Sequence, residues 1–312
     1  MPRPVIMDCD PGADDAVALL VAMASPEDFN ILGITTVAGN VSLEQTTNNA
    51  LRICELGGRT DIPVFAGCPR ALINTGIHYE VALYGETGMG GSTMPAPAMT
   101  VQKQHAVNFI IETLMNSNEK ITLLLSGPLT NIATALIMEP RIIDHVEEVI
   151  LMGGAMGFGN KTPSAEFNLY CDPHAGQVVF NSGMKITMIG LDATHQMVTS
   201  DLRLAALRAL GNEQGRQVAA VLEYGVEFDT TRFDLPGRAI HDVCVPIFIT
   251  HRDLFKGGMG RVDVEINSDL TMGRTVVGWY TAHKENSNAF VVTEIDNAAI
   301  FNIILERLAR YK

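Results

Sequence analysis

Asp8, Asp10, Asp14 and Asp15 crowd into one short stretch, Val5-Ile6-Met7-Asp8-Cys9-Asp10-Pro11-Gly12-Ala13-Asp14-Asp15-Ala16. Two carboxylates held about 4 Å apart repel by roughly 4 kcal/mol at an effective dielectric near 20. A group of four must therefore be protonated, kept apart or neutralised by a cation. One aspartate could cap a helix, but capping cannot use four. Every donor on offer is oxygen, which favours a hard ion, calcium or magnesium, over zinc. Cys9 lies inside the same turn, where the surrounding carboxylates disfavour a thiolate and hence a nucleophilic role.

The flanking residues predict how these groups are held. Pro4 to Met7 read as a buried strand, and Val17, Leu20, Val21 and Ala24 recur at helical spacing, so the aspartates fall between a strand end and a helix start. Pro11 and Gly12 force the turn, which places Asp14 and Asp15 among the free N–H groups of the first helical turn. Ile31 to Val37 predict a second strand ending at Ala38-Gly39-Asn40, Leu43 to Leu56 a helix stopped by Gly57-Gly58, and Pro63 to Phe65 a third strand. This alternation predicts an α/β fold: an open, mainly parallel sheet with helices on both faces and functional groups beyond the carboxyl ends of its strands.

Further along, Val101 to Met115 read as a helix, and Ile121 to Leu125 as a strand ending at Ser126-Gly127-Pro128-Leu129-Thr130-Asn131. The main-chain carbonyl of Ser126 could complete an oxygen-rich metal shell. Val149 to Met152 form another strand, followed by Gly153-Gly154 and a polar stretch containing Asn160, Glu166 and Asn168. If that stretch is extended, Glu166 and Asn168 point the same way and suit a polyhydroxyl ligand. A strand is expected over Lys185 to Ile189, helices over Asp201 to Leu210 and Glu213 to Phe228, and late strands over Arg261 to Ile266, Thr275 to Trp279 and Ala289 to Ile295. Ala298 to Ala309 close the chain as a helix. His241-Asp242 stands alone before an apolar run. The span from Cys68 to Thr100 reads as a long loop with a glycine-rich segment, Tyr84 to Gly91. It suggests a lid, and it lacks the Gly-Lys-Ser/Thr ending of a phosphate cradle.

The 312 residues, 47% hydrophobic and 18% charged, are those of an ordinary globular protein with no linker, so a single domain over residues 1–312 is expected. A net charge of −13 repels phosphate backbones and excludes nucleic acid as a partner. No apolar stretch reaches membrane-spanning length and no signal segment precedes the first strand, so no membrane association and a cytoplasmic location are expected. The five dispersed cysteines read as free thiols.

Taken in order, Asp8 to Ala16, Val37-Ala38-Gly39-Asn40, Ser126 to Asn131, Met152-Gly153-Gly154-Ala155, Glu166-Phe167-Asn168 with Asp172-Pro173, and His241-Asp242 resemble the inosine–uridine-preferring nucleoside hydrolase family over nearly the whole chain. The resemblance implies an open α/β nucleoside hydrolase fold and hydrolysis of the N-glycosidic bond of a small-molecule ribonucleoside to ribose and base. It implies calcium (Ca2+) held by Asp10, Asp15, the Ser126 carbonyl and Asp242, with an ion-bound water as nucleophile and Asp10 as general base. Asp14, Asn40, Met152, Asn160, Glu166 and Asn168 would grip the ribose, and His241 would protonate the leaving base. A homodimer or homotetramer is the implied assembly.

Two departures from the family pattern bear on the nucleobase end: Tyr84-Gly85 replaces a His-Gly pair, and Thr275-Val276-Val277-Gly278 replaces Thr-Val-Val-Asp. Two alternatives stand beside this reading. A haloacid dehalogenase-type phosphatase also begins with Asp-x-Asp, but it has no use for Pro11-Gly12 or His241-Asp242. A non-catalytic nucleoside-binding protein would need neither Asp10 as base nor His241.

Overall fold

The structure, a computed structural model, describes residues 1–73, 85–280 and 286–312. Its frame is a nine-stranded sheet in the order β3-β2-β1-β4-β5-β6-β9-β7-β8. The strands are β1 (Arg3–Cys9), β2 (Phe29–Thr36), β3 (Val64–Ala66), β4 (Ile121–Leu125), β5 (Val146–Met152), β6 (Ile186–Ile189), β7 (Phe255–Val264), β8 (Thr275–Gly278) and β9 (Ala289–Ile295). All pairings from β3 through β6 to β9 are parallel, and β7 then runs antiparallel to both β9 and β8. The order reverses between β1 and β4, leaving a crevice beyond their carboxyl ends where open α/β sheets place their ligands.

Strand pleating sorts the core onto both faces. In β1, Val5, Met7 and Cys9 join a cluster with α1 (Ala13–Met23), α2 (Leu43–Leu56) and the later helices, whereas Ile6 joins α3 (Ala106–Asn116) and α4 (Thr130–Met138) on the other face. The same alternation turns Asp8 toward α4. Its buried carboxylate accepts from Thr35 Oγ1 at 2.5 Å and Asn131 Nδ2 at 2.8 Å, so Asp8 ties strands and helix together instead of joining the other aspartates.

Two expected elements differ. The first late strand, expected over Arg261 to Ile266, is β7, which starts at Phe255 and ends at Val264, because its glycine-rich first half bonds to β9 despite weak strand propensity. The helix expected over Glu213 to Phe228 is divided into α9 (Glu213–Tyr224) and α10 (Val226–Arg232), after α5 (Phe167–Cys171), α6 (Pro173–Phe180), α7 (Leu191–Thr194) and α8 (Asp201–Ala209). The break falls at Gly225, where an added Cβ would lie 1.8 Å from the Arg238 guanidinium. Two helices complete the chain, α11 (Cys244–Thr250) and α12 (Asn297–Leu308). Among the described residues, no helix is long and apolar enough to cross a membrane.

At the amino end of the sheet, away from the crevice, buried Glu148 on β5 binds Arg3 at 2.9 Å, Lys185 at 3.2 Å and Arg252. Glu148→Gln should lower unfolding free energy by about 1–3 kcal/mol, the range for lost charged hydrogen bonds. Urea denaturation checks this, and kcat should stay unchanged because the substitution lies at the opposite strand ends.

Candidate active site

Asp10 leaves the end of β1 into the crevice, and two glycines make room for its carboxylate. A Cβ on Gly39 would come 2.0 Å from Asp10 Oδ2, and one on Gly127 2.8 Å from Asp10 Oδ1. The loops after β2 and β4 therefore close on this carboxylate from both sides. Asn40 donates its main-chain N–H to Asp10 Oδ2 at 2.7 Å and its side-chain amide to Asp10 O at 3.1 Å. Asp15, in the first turn of α1, accepts from Gly12 N at 3.0 Å and from Ser126 Oγ at 2.7 Å.

Asp14, Asp15 and Asp242 are buried and bring carboxylate oxygens within 4.8 Å of one another. Asp14, which the family resemblance assigns to ribose, thus shares a cluster with two of the residues it assigns to the ion. Burial first, then the neighbouring negative charges, push Asp242 well above the carboxylate range, and burial followed by Asp15 does the same to Asp10. Burial and then Asp14 raise Asp15 to about 7. Asp14 Oδ1 is buried with no hydrogen-bond partner among the described residues. An all-oxygen, mutually repelling donor set with an unpaired inward oxygen fits a hard divalent cation. Ser126 bonds Asp15 through its hydroxyl, while its carbonyl accepts from Asn168 Nδ2 at 2.8 Å.

Above these acids opens a cavity lined by Asp14, Asn40, Ser126, Met152, Asn160, Glu166, Asn168, His241 and Asp242. Of the residues singled out from sequence, only Asp10 and Asp15 are absent from that lining. The stretch holding Glu166 and Asn168 is not extended. Glu166 caps α5, accepting from Asn168 N at 2.9 Å, Leu169 N at 3.2 Å and Gly154 N at 2.9 Å, and burial outweighs these bonds to raise it to about 7. Asn168 still reaches the cavity, with its amide on Ser126 O and Met152 O, and Asn160 Oδ1 accepts from Phe167 N at 2.9 Å. Thr275 braces the Gly153-Gly154-Ala155 loop by bonding both polar atoms of the Ala155 backbone. The departing Gly278 pairs with Arg261 in the edge hairpin and does not line the cavity.

His241 lines the cavity with Nδ1 2.8 Å from Thr194 Oγ1. Burial, then the Arg238 charge, lowers it to about 4, so its imidazole is neutral at pH 7. The far wall holds groups that sequence reading passed over: Lys161, Phe167, Phe228, Asp229, Arg232, Phe233 and Arg238. The expected helix ends at Phe228, so Asp229 to Phe233 carried no reading, and their only signal is an aromatic–acid–base–aromatic pattern just before His241. Tyr84 lies outside the described residues. The described part of the glycine-rich segment packs on α2 and α9, with Thr87 O accepting from Asn49 Nδ2 at 2.8 Å.

The raised carboxylates set a pH dependence. Asp8, Asp15 and Glu166, from ordinary values of 3.8, 3.8 and 4.5, all rise to about 7. Each favours the folded state when protonated, so that stability is complete below the unfolded value and lost as pH rises through about 7. His195 and His241, both lowered to about 4, act in the opposite sense below 6.5. Protein stripped by a chelator should therefore lose melting temperature from pH 6.5 to 8, and a saturating divalent cation should reverse the loss by binding the native state. A flat profile in stripped protein would contradict the charge crowding.

The chain matches the inosine-uridine preferring nucleoside hydrolase family over residues 5–302. It is 40% identical over 312 residues to the pyrimidine-specific ribonucleoside hydrolase RihA of Shewanella sp. (strain MR-4), covering 100% of this chain and 98% of that protein. It is 38% identical over 312 residues to the inosine-uridine preferring nucleoside hydrolase of Leishmania major, covering 99% of this chain and 98% of that protein. Among solved structures, the purine-preferring ribonucleoside hydrolase from Gardnerella vaginalis is similar with a TM-score of 0.91 at 30% identity, over 98% of each chain. The carboxylate crevice, the sheet order and these full-length likenesses agree, and the chain belongs to the inosine-uridine preferring nucleoside hydrolase family.

Proposed function

We propose that this protein hydrolyses uridine and inosine to free ribose and base with a resident calcium ion. The observation that carries the reading is the buried group Asp14, Asp15 and Asp242, with Asp10 beside it, on the floor of a cavity walled by amides and Glu166. Asp10, Asp15, Asp242 and the Ser126 carbonyl would hold the ion, with Asp14 adjoining. When bound, calcium supplies positive charge that offsets these carboxylates and acidifies a water molecule. Support for both a pyrimidine and a purine substrate comes from the names of the relatives.

Asp10 is fixed by the Asn40 N–H and flanked by two glycines, so it can take the proton of the attacking water with little motion. Asn40, Asn160, Glu166 and Asn168 bind the ribose hydroxyls, and Met152 supports the Asn168 amide from below. As the base departs, positive charge grows on the sugar, and the carboxylates of Asp14 and Glu166 offset it. His241 faces the departing base in its neutral form. With Nδ1 held by the Thr194 hydroxyl, the neutral ring can turn an N–H on Nε2 toward the departing base and polarise it by a hydrogen bond, without giving the proton up.

Incubation with a nucleoside panel should release free ribose, and purified protein should contain calcium by elemental analysis. Nucleoside binding without ribose release would make the protein a binder instead. Asp10→Asn should remove most turnover while leaving the fold intact, and no ribosyl-enzyme adduct should be trapped. His241→Ala should lower kcat for inosine by at least about tenfold, the weak end of general acid catalysis, with KM and calcium content much less affected. An unchanged kcat for every nucleoside would leave His241 a structural role only.

A further inference from the structure

Arg238 is the one buried cation among the described residues lining the cavity, at 2% exposure, whereas Lys161 is half-buried and Arg232 exposed. Burying a guanidinium costs several kcal/mol unless it is well partnered, so its placement demands an explanation. The chain has built a seat for it. Its backbone is clamped to Thr199, with Arg238 N donating to Thr199 Oγ1 at 2.9 Å and Arg238 O accepting from Thr199 N at 2.7 Å. Gly237 permits that approach, since a Cβ there would meet Thr199 O at 2.1 Å. The guanidinium then passes the α9–α10 break, where only a glycine fits, and its Nη1 donates to Val221 O at 3.4 Å.

Asp14, Asp229 and His241 line the same cavity, and the positive charge of Arg238 acts on all three. Asp229 is itself anchored, accepting from Ala239 N at 3.0 Å. A fixed cation thus shares the cavity with Asp14 and His241, the acid and the histidine set above at the sugar and at the departing base. A nucleobase needs help there. The bond to be broken sends its electron pair onto the base, and in a pyrimidine much of that charge appears on the carbonyl oxygen next to the glycosidic nitrogen.

We propose that Arg238 is a catalytic residue that stabilises the departing nucleobase as an anion. The inference rests on the hydrolase reading given above. In the step, the C1′–N bond breaks with its electron pair going to the base. A water oxygen forms the new C1′–O bond and passes its proton to Asp10. The base anion, held against the guanidinium, takes up a proton from solvent, and Asp10 returns its own to solvent. Because the charge on Arg238 is permanent, the stabilisation exists before the bond begins to break and needs no reorganisation.

A substrate whose leaving group needs no help separates this role from a structural one. p-Nitrophenyl β-D-ribofuranoside presents the same ribose but departs as a stable nitrophenolate. Arg238→Met should lower kcat for uridine by about 10²–10³-fold, the size of a lost preorganised charge donor, and change kcat for the nitrophenyl riboside by less than about threefold, since general electrostatic help is not called on there. Arg238→Lys keeps a charge and much of the volume, so it remains readable where the methionine variant does not fold. It should show the same split with a smaller loss on uridine, because an ammonium lacks the planar fork. Equal losses on both substrates in either folded variant would overturn the role of Arg238 and leave the hydrolase reading standing. Wild-type protein that releases ribose from neither substrate would remove that reading, and this inference with it.

Discussion

Mutual repulsion among Asp10, Asp14, Asp15 and Asp242 is the constraint around which this molecule is arranged. Brought together out of water, all four are driven toward protonation by burial, and Asp10, Asp15 and Asp242 also by neighbouring carboxylates. The fold accepts that cost at the one place where a doubly wound sheet is open, between β1 and β4. Gly39 and Gly127 let two loops close on Asp10, and Gly12 N, Ser126 Oγ and Asn40 N direct hydrogen bonds at the acids. These donors orient the carboxylates without neutralising them. That leaves the group unsaturated in charge but fixed in geometry, which is the condition for binding a hard cation tightly and reversibly.

The cavity above is polar in an ordered way. Its floor is negative, its near wall carries the amides of Asn40, Asn160 and Asn168, and its far wall carries Phe228, Phe233 and the positive charges of Arg232 and Arg238. A sugar that becomes positive and a base that becomes negative during bond cleavage would each meet the opposite charge. The far wall rests on the α9–α10 break and on the turn through Asp234, a non-glycine residue at φ 54° that brings the chain back toward Thr199. An aspartate tolerates that backbone better than most residues because its short side chain bonds locally. The wall formed by Phe228 to Arg238 is thus built from long-range packing, while the carboxylates are delivered by strand ends and a helix start.

Much of the floor was legible in the sequence because its information is local. Asp-Pro-Gly before two aspartates specifies a strand end, a turn and a helix start within a few residues, and alternating apolar runs specify a covered parallel sheet. Ser126 and Asn40 follow from the same logic, each lying just beyond a predicted strand, and Met152 is the last residue of one. What could not be read was the sorting of like residues among unlike roles. Asp8 and Asp10 are two positions apart in sequence, yet the pleat sends one into the α4 face and the end of the strand frees the other into the crevice. Glu166 and Asn168 reach the cavity from a helix cap, not from a strand, so the right residues were found through the wrong local structure.

By itself, then, the sequence determined the class of fold, the oxygen-rich chemistry and the residues at the strand ends, since hydrophobic period and turn chemistry are properties of neighbouring residues. Tertiary structure decided which carboxylates meet, that His241 is neutral, and that Arg238 is buried in the wall of the cavity. Those outcomes depend on desolvation and on charges from segments more than a hundred residues apart, such as Asp14 and Arg238. Burial and long-range electrostatics exist only once the chain has closed on itself, so no local pattern can carry them.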